Sequence, residues 1–433
     1  MKSRQGSQIA ASAPPVATFE EPAVEIRRVD RETSGRLPLS SPLLVLALLA
    51  ATHYLVDFIA GTVNPLWPVL EKQVLGDDHS VLWIYVPWMV TTSFSQLLFG
   101  MWADRVSLQW LIWGGPAVAV VCLSCIGFAP NLATLAALYA LGGLGIAAFH
   151  PEAAALAGSL IPAQRSRAMA VFALSGYLGQ SCGPFYSGLV TQEMGLPGLA
   201  WGMVWGGGIL FVLTVSLTAA KPHRSGSQHR KPAEKGRIRP RVLVLLLAIG
   251  TLRITPVLGV PFTLAFLLDA AGASGATIGF IQSVFMAGVG MGAMACAVFG
   301  RRESERAAIW LLPLCAVPLL IAMTWSEGWV LAVLVWATGL LLGFTMPIYI
   351  SYGQQLIPQS QRVASSITMG VSWGLAGGFM MATFEGLRSI DALQWMFLFF
   401  AAMCIVSSAL CQWLPEPERE AARREQGQSP MEK

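Results

Sequence analysis

Apolar stretches follow one another almost without pause from residue 42 to residue 414. They lie at about 42–70, 81–100, 108–128, 132–160, 167–192 and 197–219, and then at 242–268, 275–299, 306–324, 328–356, 363–385 and 393–414. A helix needs about 20 predominantly apolar residues to cross a ~30 Å hydrocarbon core. Lipid offers backbone N–H and C=O groups no partner, so spanning segments of this kind must be helical. The expected class is therefore an all-α membrane protein of twelve transmembrane helices, six before and six after a basic interruption. Composition supports this: 55% of residues are hydrophobic and 12% charged, against ~25% charged in soluble domains. Mean hydropathy is +0.59. These values exclude a soluble enzyme, a disordered protein and a secreted disulfide scaffold.

The interruptions set the organisation. Residues 1–40 are rich in Pro, Ser, Glu and Arg and read as a disordered cytoplasmic tail rather than a signal peptide. Residues 41–220 form the first six-helix half. Residues 221–241 form a basic cytoplasmic linker with eight Lys/Arg and a single acid. Residues 242–414 form the second half, and 415–433 a charged cytoplasmic tail. With both termini inside, inner loops and tails hold 25 of the 28 Lys and Arg residues. The outer loops keep only Lys72 and Arg388, and Arg253 lies within a span, an asymmetry that follows the positive-inside rule. The expected location is a bacterial inner membrane, and the expected state a monomer.

An ungapped shift of 196 residues lays the second half over the first. Leu160-Ile161-Pro162 falls on Leu356-Ile357-Pro358, Pro151 on Pro347 and Pro65 on Pro261. The two halves read as pseudo-symmetric parallel repeats, a transporter arrangement.

A charge at the bilayer centre costs at least ~2.5–3.5 kcal/mol, so the titratable residues within spans need a reason to be there. They are His53 and Asp57 in the first span, His150 and Glu152 in the fourth, and Arg253 in the seventh. His53 and Asp57, four apart, share a helix face. The repeat shift carries Asp57 onto Arg253, so the two are expected to pair across the cavity. As proton-coupling residues, Asp57 assisted by His53 comes first, with Glu152 and His150 second. As substrate-binding residues, Arg253 would hold an anion, with Asp57 and His150 beside it. Each also has a structural alternative: a His53–Asp57 lock, a Glu152 bonded to backbone or Arg, a His150 ring satisfying a carbonyl near Pro151, or an Arg253 that only balances Asp57.

Other motifs concern packing and exclusion. Gly179, Gly183, Pro184 and Gly188 in the fifth span permit close helix approach with a bend. Gly100, Asp104 and Arg105 close the second span. The seven cysteines fall in apolar stretches, and Cys122-x2-Cys125 is read as packing, so neither a metal nor a cofactor is expected. Net charge is only +4, which argues against nucleic-acid binding. The chain contains no Gly-Lys dipeptide, so it has no P-loop and no expected use of ATP.

Gly100-x3-Asp104-Arg105 resembles the signature loop of the major facilitator superfamily, although Ser107, Leu108 and Gln109 replace its usual later Gly and basic residues. Gly179-x3-Gly183-Pro184-x3-Gly188 resembles the antiporter motif of the same superfamily. His53-x3-Asp57-x7-Pro65-Leu66-Trp67-Pro68, with Gly145 to Phe149-His150-Pro151-Glu152, resembles the fosmidomycin-resistance family of efflux proteins. The resemblance implies the major facilitator fold and proton-driven export of small drugs or metabolites, with helices 1, 4, 7 and 10 around the cavity. Proton-coupled uptake of a small organic anion is the alternative within transport. A transporter-like receptor or assembly protein without flux is the alternative outside it.

Overall fold

In the computed structural model, the described residues are 41–75, 81–103, 109–161, 164–220, 240–300, 302–357 and 366–416. They are helical, with no strand among them. Helix α1, Pro42–Gly61, continues through a 3-10 turn, Asn64–Leu66, into Trp67–Leu70. Helix α2 runs as Leu82–Met89, a π turn at Val90–Phe94, and Ser95–Ala103. Then come α3 Leu111–Ser124, α4 Leu132–Leu160, α5 Arg165–Met194 and α6 Trp201–Ala220. The second set is α7 Pro240–Ala270, α8 Gly275–Phe299, α9 Arg302–Met323, α10 Gly328–Leu356, α11 Ser372–Arg388 and α12 Met396–Leu410.

Ten helices among the described residues are long and apolar enough to cross a membrane. The two other expected spans, α2 and α5, are present as helices but fall outside that set. Thr91, Thr92, Ser93 and Gln96 dilute α2, and Ser175, Gln180, Ser181 and Gln192 dilute α5. Several of these hydroxyls bond back to their own helix, as Thr92 does to the Trp88 carbonyl at 2.7 Å, a common means of carrying hydroxyls at membrane depth. Large side chains cover the outside of the bundle: Trp83, Phe211, Phe299, Trp325 and Trp329 are all exposed. So many exposed large apolar side chains suit lipid rather than water.

Where helices touch most closely, glycine makes the contact possible. A Cβ on Gly179 would fall on the Tyr54 carbonyl oxygen, and one on Gly183 on that of Phe58, so α5 lies directly against α1. Gly288 and Gly292 of α8 meet the Trp336 and Leu340 carbonyls of α10 in the same way. Gly188 of α5 meets Gly275 of α8. Packing of small residues is the expected glue where lipid removes the hydrophobic drive between helices. Short turns need particular caps. Ser274 accepts from the Thr277 N–H at the start of α8, and Gly272, at φ +76°, reverses the chain between α7 and α8. Helices α4 and α10 each have 29 residues, and Gly328 and Leu356 stand 196 positions after Leu132 and Leu160.

Candidate functional site

The first half buries a cluster built from three helices. One turn of α1 places His53 above Asp57, with His53 Nε2 3.4 Å from Asp57 Oδ2. From α4, His150 brings its Nε2 to 3.2 Å from the other carboxylate oxygen, Oδ1. From α5, the Gln180 amide nitrogen approaches Oδ2 at 3.3 Å. Phe172 stacks on the His53 ring, with centroids 4.0 Å apart and 15° between planes. Gly176, one turn further along α5, comes so near that a Cβ there would lie 2.6 Å from Asp57 Oδ2 and 2.7 Å from His53 Nε2. The His53 and Asp57 side chains are 8% and 7% exposed, whereas that of His150 is 25% exposed. Access to the carboxylate is thus along the His150 side.

The remaining ring nitrogens are committed. His53 Nδ1 lies 2.7 Å from the Phe172 carbonyl oxygen. His150 Nδ1 lies 2.8 Å from the Ile146 carbonyl oxygen. A carbonyl only accepts, so each Nδ1 carries hydrogen and donates. In a neutral ring Nε2 then bears a lone pair, and both lone pairs face an anionic carboxylate. Those contacts become attractive when a proton lies between nitrogen and oxygen, or when a cation sits at Nε2. A proton there gives a charge-assisted hydrogen bond. The three donor atoms also lie within 4.8 Å of one another, close enough to surround a single ion. The Ile146 carbonyl lies one residue before Ala147, whose usual helical donor is the nitrogen of Pro151. His150 Nδ1 thus bonds a carbonyl, but the one before that freed by Pro151, while Nε2 faces the carboxylate.

The other expected residues fall elsewhere. Glu152 is buried further along α4. Arg253 is buried on α7, and its Nη2 donates to the Cys411 sulfur at 3.5 Å. Its Nε and Nη1 find no hydrogen-bond partner among the described residues. The expected Asp57–Arg253 pair is corrected: the groups facing Asp57 are His53, His150 and Gln180, and Arg253 turns toward the end of α12. A shared offset in sequence does not set the direction of a side chain. Gly179, Gly183, Pro184 and Gly188 line the α1 and α8 contacts of α5. Gly100 has open space around its Cα, and Asp104 and Arg105 lie outside the described residues. Phe172, Gly176 and Gln180 escaped the sequence reading. Their signal was a period of four on the face of α5 that carries one half-buried amide.

Beyond the cluster, the first and second halves close against each other at one end of the bundle. Trp67 and Tyr85 pack with Phe262, Tyr139 packs on Trp67, and Phe262 and Phe266 pack with Phe384. Two ion pairs rim this aromatic seal. Arg388 donates to both Glu71 oxygens, at 2.6 and 2.7 Å, and its guanidinium lies 5.2 Å from the Phe266 ring centre. Lys72 reaches Asp269 at 2.6 Å. Lys72 and Arg388, the two basic residues expected in outer loops, thus both pair across the halves.

Residues 46–381 match the profile of the Major Facilitator Superfamily. The chain belongs to that superfamily. Among relatives of this facilitator is the uncharacterised MFS-type transporter YfnC of Bacillus subtilis (strain 168), 23% identical over 366 residues, which cover 80% of this chain and 87% of YfnC. Its fold is similar to that of the nucleoside transporter NupG, with a TM-score of 0.66 at 12% identity over 86% of this chain and all of NupG. It is also similar to the human organic anion transporter MFSD10, with a TM-score of 0.62 at 16% identity over 87% of this chain and all of MFSD10. The facilitator is accordingly a multi-pass membrane transporter of small molecules rather than an enzyme.

In this facilitator the rim pairs should hold the seal shut. Solvent-exposed pairs are each worth ~0.2–1 kcal/mol, so removing both costs the closed state about 1 kcal/mol and shifts the closed-to-open ratio roughly 5-fold. Arg388→Gln with Lys72→Gln should therefore raise the thiol-labelling rate of a cysteine placed at Phe262 several-fold from that side of the membrane. An unchanged rate would show that these ion pairs do not set the equilibrium.

Proposed function

We propose that this facilitator is a proton-coupled exporter of a small drug or metabolite, working by alternating access, with Asp57, His53 and His150 as the proton-carrying group. The observation that supports this reading is the pair of pinned histidine tautomers, which direct both Nε2 atoms at one buried carboxylate. Protons held there are shared by three groups from two helices, so gain or loss of a proton changes how α1 holds α4. Glu152, deeper on α4, is a second carrier. A proton entering down 100 mV releases ~2.3 kcal/mol, and one pH unit adds ~1.4 kcal/mol. Together these sustain a few-hundred-fold gradient of a neutral substrate.

The architecture assigned here is twelve spans in two six-helix halves, with both termini cytoplasmic, in a bacterial inner membrane, acting as a monomer. The matching bounds of α4 and α10 support the repeat, and the motifs around His53 and His150 support a place near the fosmidomycin-resistance exporters. A second reading, uptake of a small organic anion, is favoured by Arg253, whose Nε and Nη1 have no hydrogen-bond partner among the described residues and could take an acidic group. Purified protein in vesicles, exposed to a compound panel, decides between these readings. Export predicts proton movement opposite to substrate, uptake predicts movement in the same direction, and binding without proton-dependent flux would leave only a receptor.

A further inference from the structure

Three side chains, two ring orientations and one glycine at the α1–α4–α5 junction have the form of an exchangeable metal centre. We propose that His53 Nε2, His150 Nε2 and the Asp57 carboxylate bind a divalent first-row transition-metal ion such as Zn²⁺ or Co²⁺. This goes beyond the transport reading and stands on the cluster's geometry, whatever drives flux.

Ligands about 2.0–2.1 Å from a tetrahedral ion stand about 3.3 Å from one another. His53 Nε2 stands 3.4 Å from Asp57 Oδ2 and His150 Nε2 3.2 Å from Oδ1, each of that size, with one carboxylate oxygen facing each histidine. Imidazole nitrogen with a single carboxylate suits zinc, cobalt or nickel, whereas calcium and magnesium prefer all-oxygen shells. Ligating histidines ordinarily donate their other N–H to a carbonyl or carboxylate, which fixes the ring and its tautomer. Here both do: His53 to Phe172 and His150 to Ile146. Gln180 Nε2, on Asp57 Oδ2, orients the third ligand. Gly176 leaves room beside His53 Nε2 and Asp57 that any side chain would fill. Three protein ligands leave at least one position for water or a substrate oxygen or nitrogen, as in sites where the ion exchanges or meets substrate.

The sequence alone hid this centre, because His53-x3-Asp57 supplies only two ligands and His150 lies almost a hundred residues away. The decisive experiment uses the purified full-length chain without a histidine tag, with His79, His223 and His229 changed to Gln, so that His53 and His150 are its last histidines. Titration with Co²⁺ should give one ion per chain. The visible d–d spectrum should be that of a four- or five-coordinate ion without thiolate charge transfer, and Zn²⁺ should bleach it. His53→Gln, His150→Gln and Asp57→Asn should each weaken binding by more than the ~10–100-fold that follows loss of an outer partner. Gln180→Ala should weaken it within that range. Absence of stoichiometric Co²⁺ binding in the parent protein overturns the proposal without reference to any variant. So does a thiolate spectrum, or an affinity unchanged by substitutions whose proteins elute as the parent does. Proton-coupled flux is measured in metal-free vesicles, so its failure is read separately from failure of the ion to bind.

Discussion

Asp57→Asn will reduce concentrative transport in energised vesicles to background while leaving counterflow in de-energised vesicles. An amide keeps the size of the carboxyl group and its place between His53 and His150 but cannot carry a proton. Loss of the carboxylate also lets both histidines rest neutral, so no uncompensated buried charge is left behind and the protein should still be made. Arg253→Gln should act separately, lowering transport of acidic substrates most. Arg253 bonds to Cys411 rather than Asp57, and effects at sites without shared partners add to within about 0.3–0.5 kcal/mol. The double variant should therefore be no better than Asp57→Asn alone. Recovery of concentrative transport in the double variant would restore the Asp57–Arg253 pair and leave Glu152 as the carrier.

Gly183→Val will remove most of the folded protein. A Cβ at Gly183 falls on the Phe58 carbonyl and comes within 3.0 Å of the Gly61 carbonyl carbon and the Thr62 nitrogen. These are backbone atoms, so the helices themselves must separate. Overpacking a core usually costs ~1–3 kcal/mol, occasionally more, and this site sits beside a second contact of the same kind at Gly179. Displacing α1 also displaces His53 and Asp57, so any residual protein should be inactive. The comparison is Gly207→Val, where nothing lies within 4 Å of an added Cβ, with detergent-extracted yield and monodispersity on size exclusion as the readout. Normal yield and transport from Gly183→Val would mean that α1 and α5 pack less closely than described here.

Much of the architecture was legible because lipid forces it. An apolar run of spanning length has one way to satisfy its backbone, so α1, α4, α7 and α10 appear where the sequence places them. The positions of Asp57 and His53 were equally open to reading, since a charge in such a run needs a reason. What the sequence concealed was direction and distance. The 196-residue shift carries Asp57 onto Arg253, yet the Arg253 guanidinium turns to Cys411, because an offset in sequence does not constrain a flexible side chain. His150 ranked behind Asp57 and His53, yet its Nε2 is the closest histidine nitrogen to the carboxylate. Gly176 and Gln180 matter only through tertiary contact, and nothing local distinguishes Gly176 from the packing glycines around it. Glu71 and Arg388 are 317 residues apart, too far for any pattern to join.

The rim of the aromatic seal has a consequence for how the protein meets its surroundings. Lys72 is 65% exposed and Asp269 21%, while Arg388 and Glu71 are 38% and 16%. Dissolved salt reaches these charges far more readily than the buried cluster around Asp57. The Debye length shrinks from about 8 Å at physiological ionic strength to about 3 Å at 1 M, so the wetter Lys72–Asp269 pair should weaken first and the chelated Arg388–Glu71 pair later. The conformational balance then depends on the salinity at the face that carries these pairs, which makes the closed end a sensor of the medium it faces.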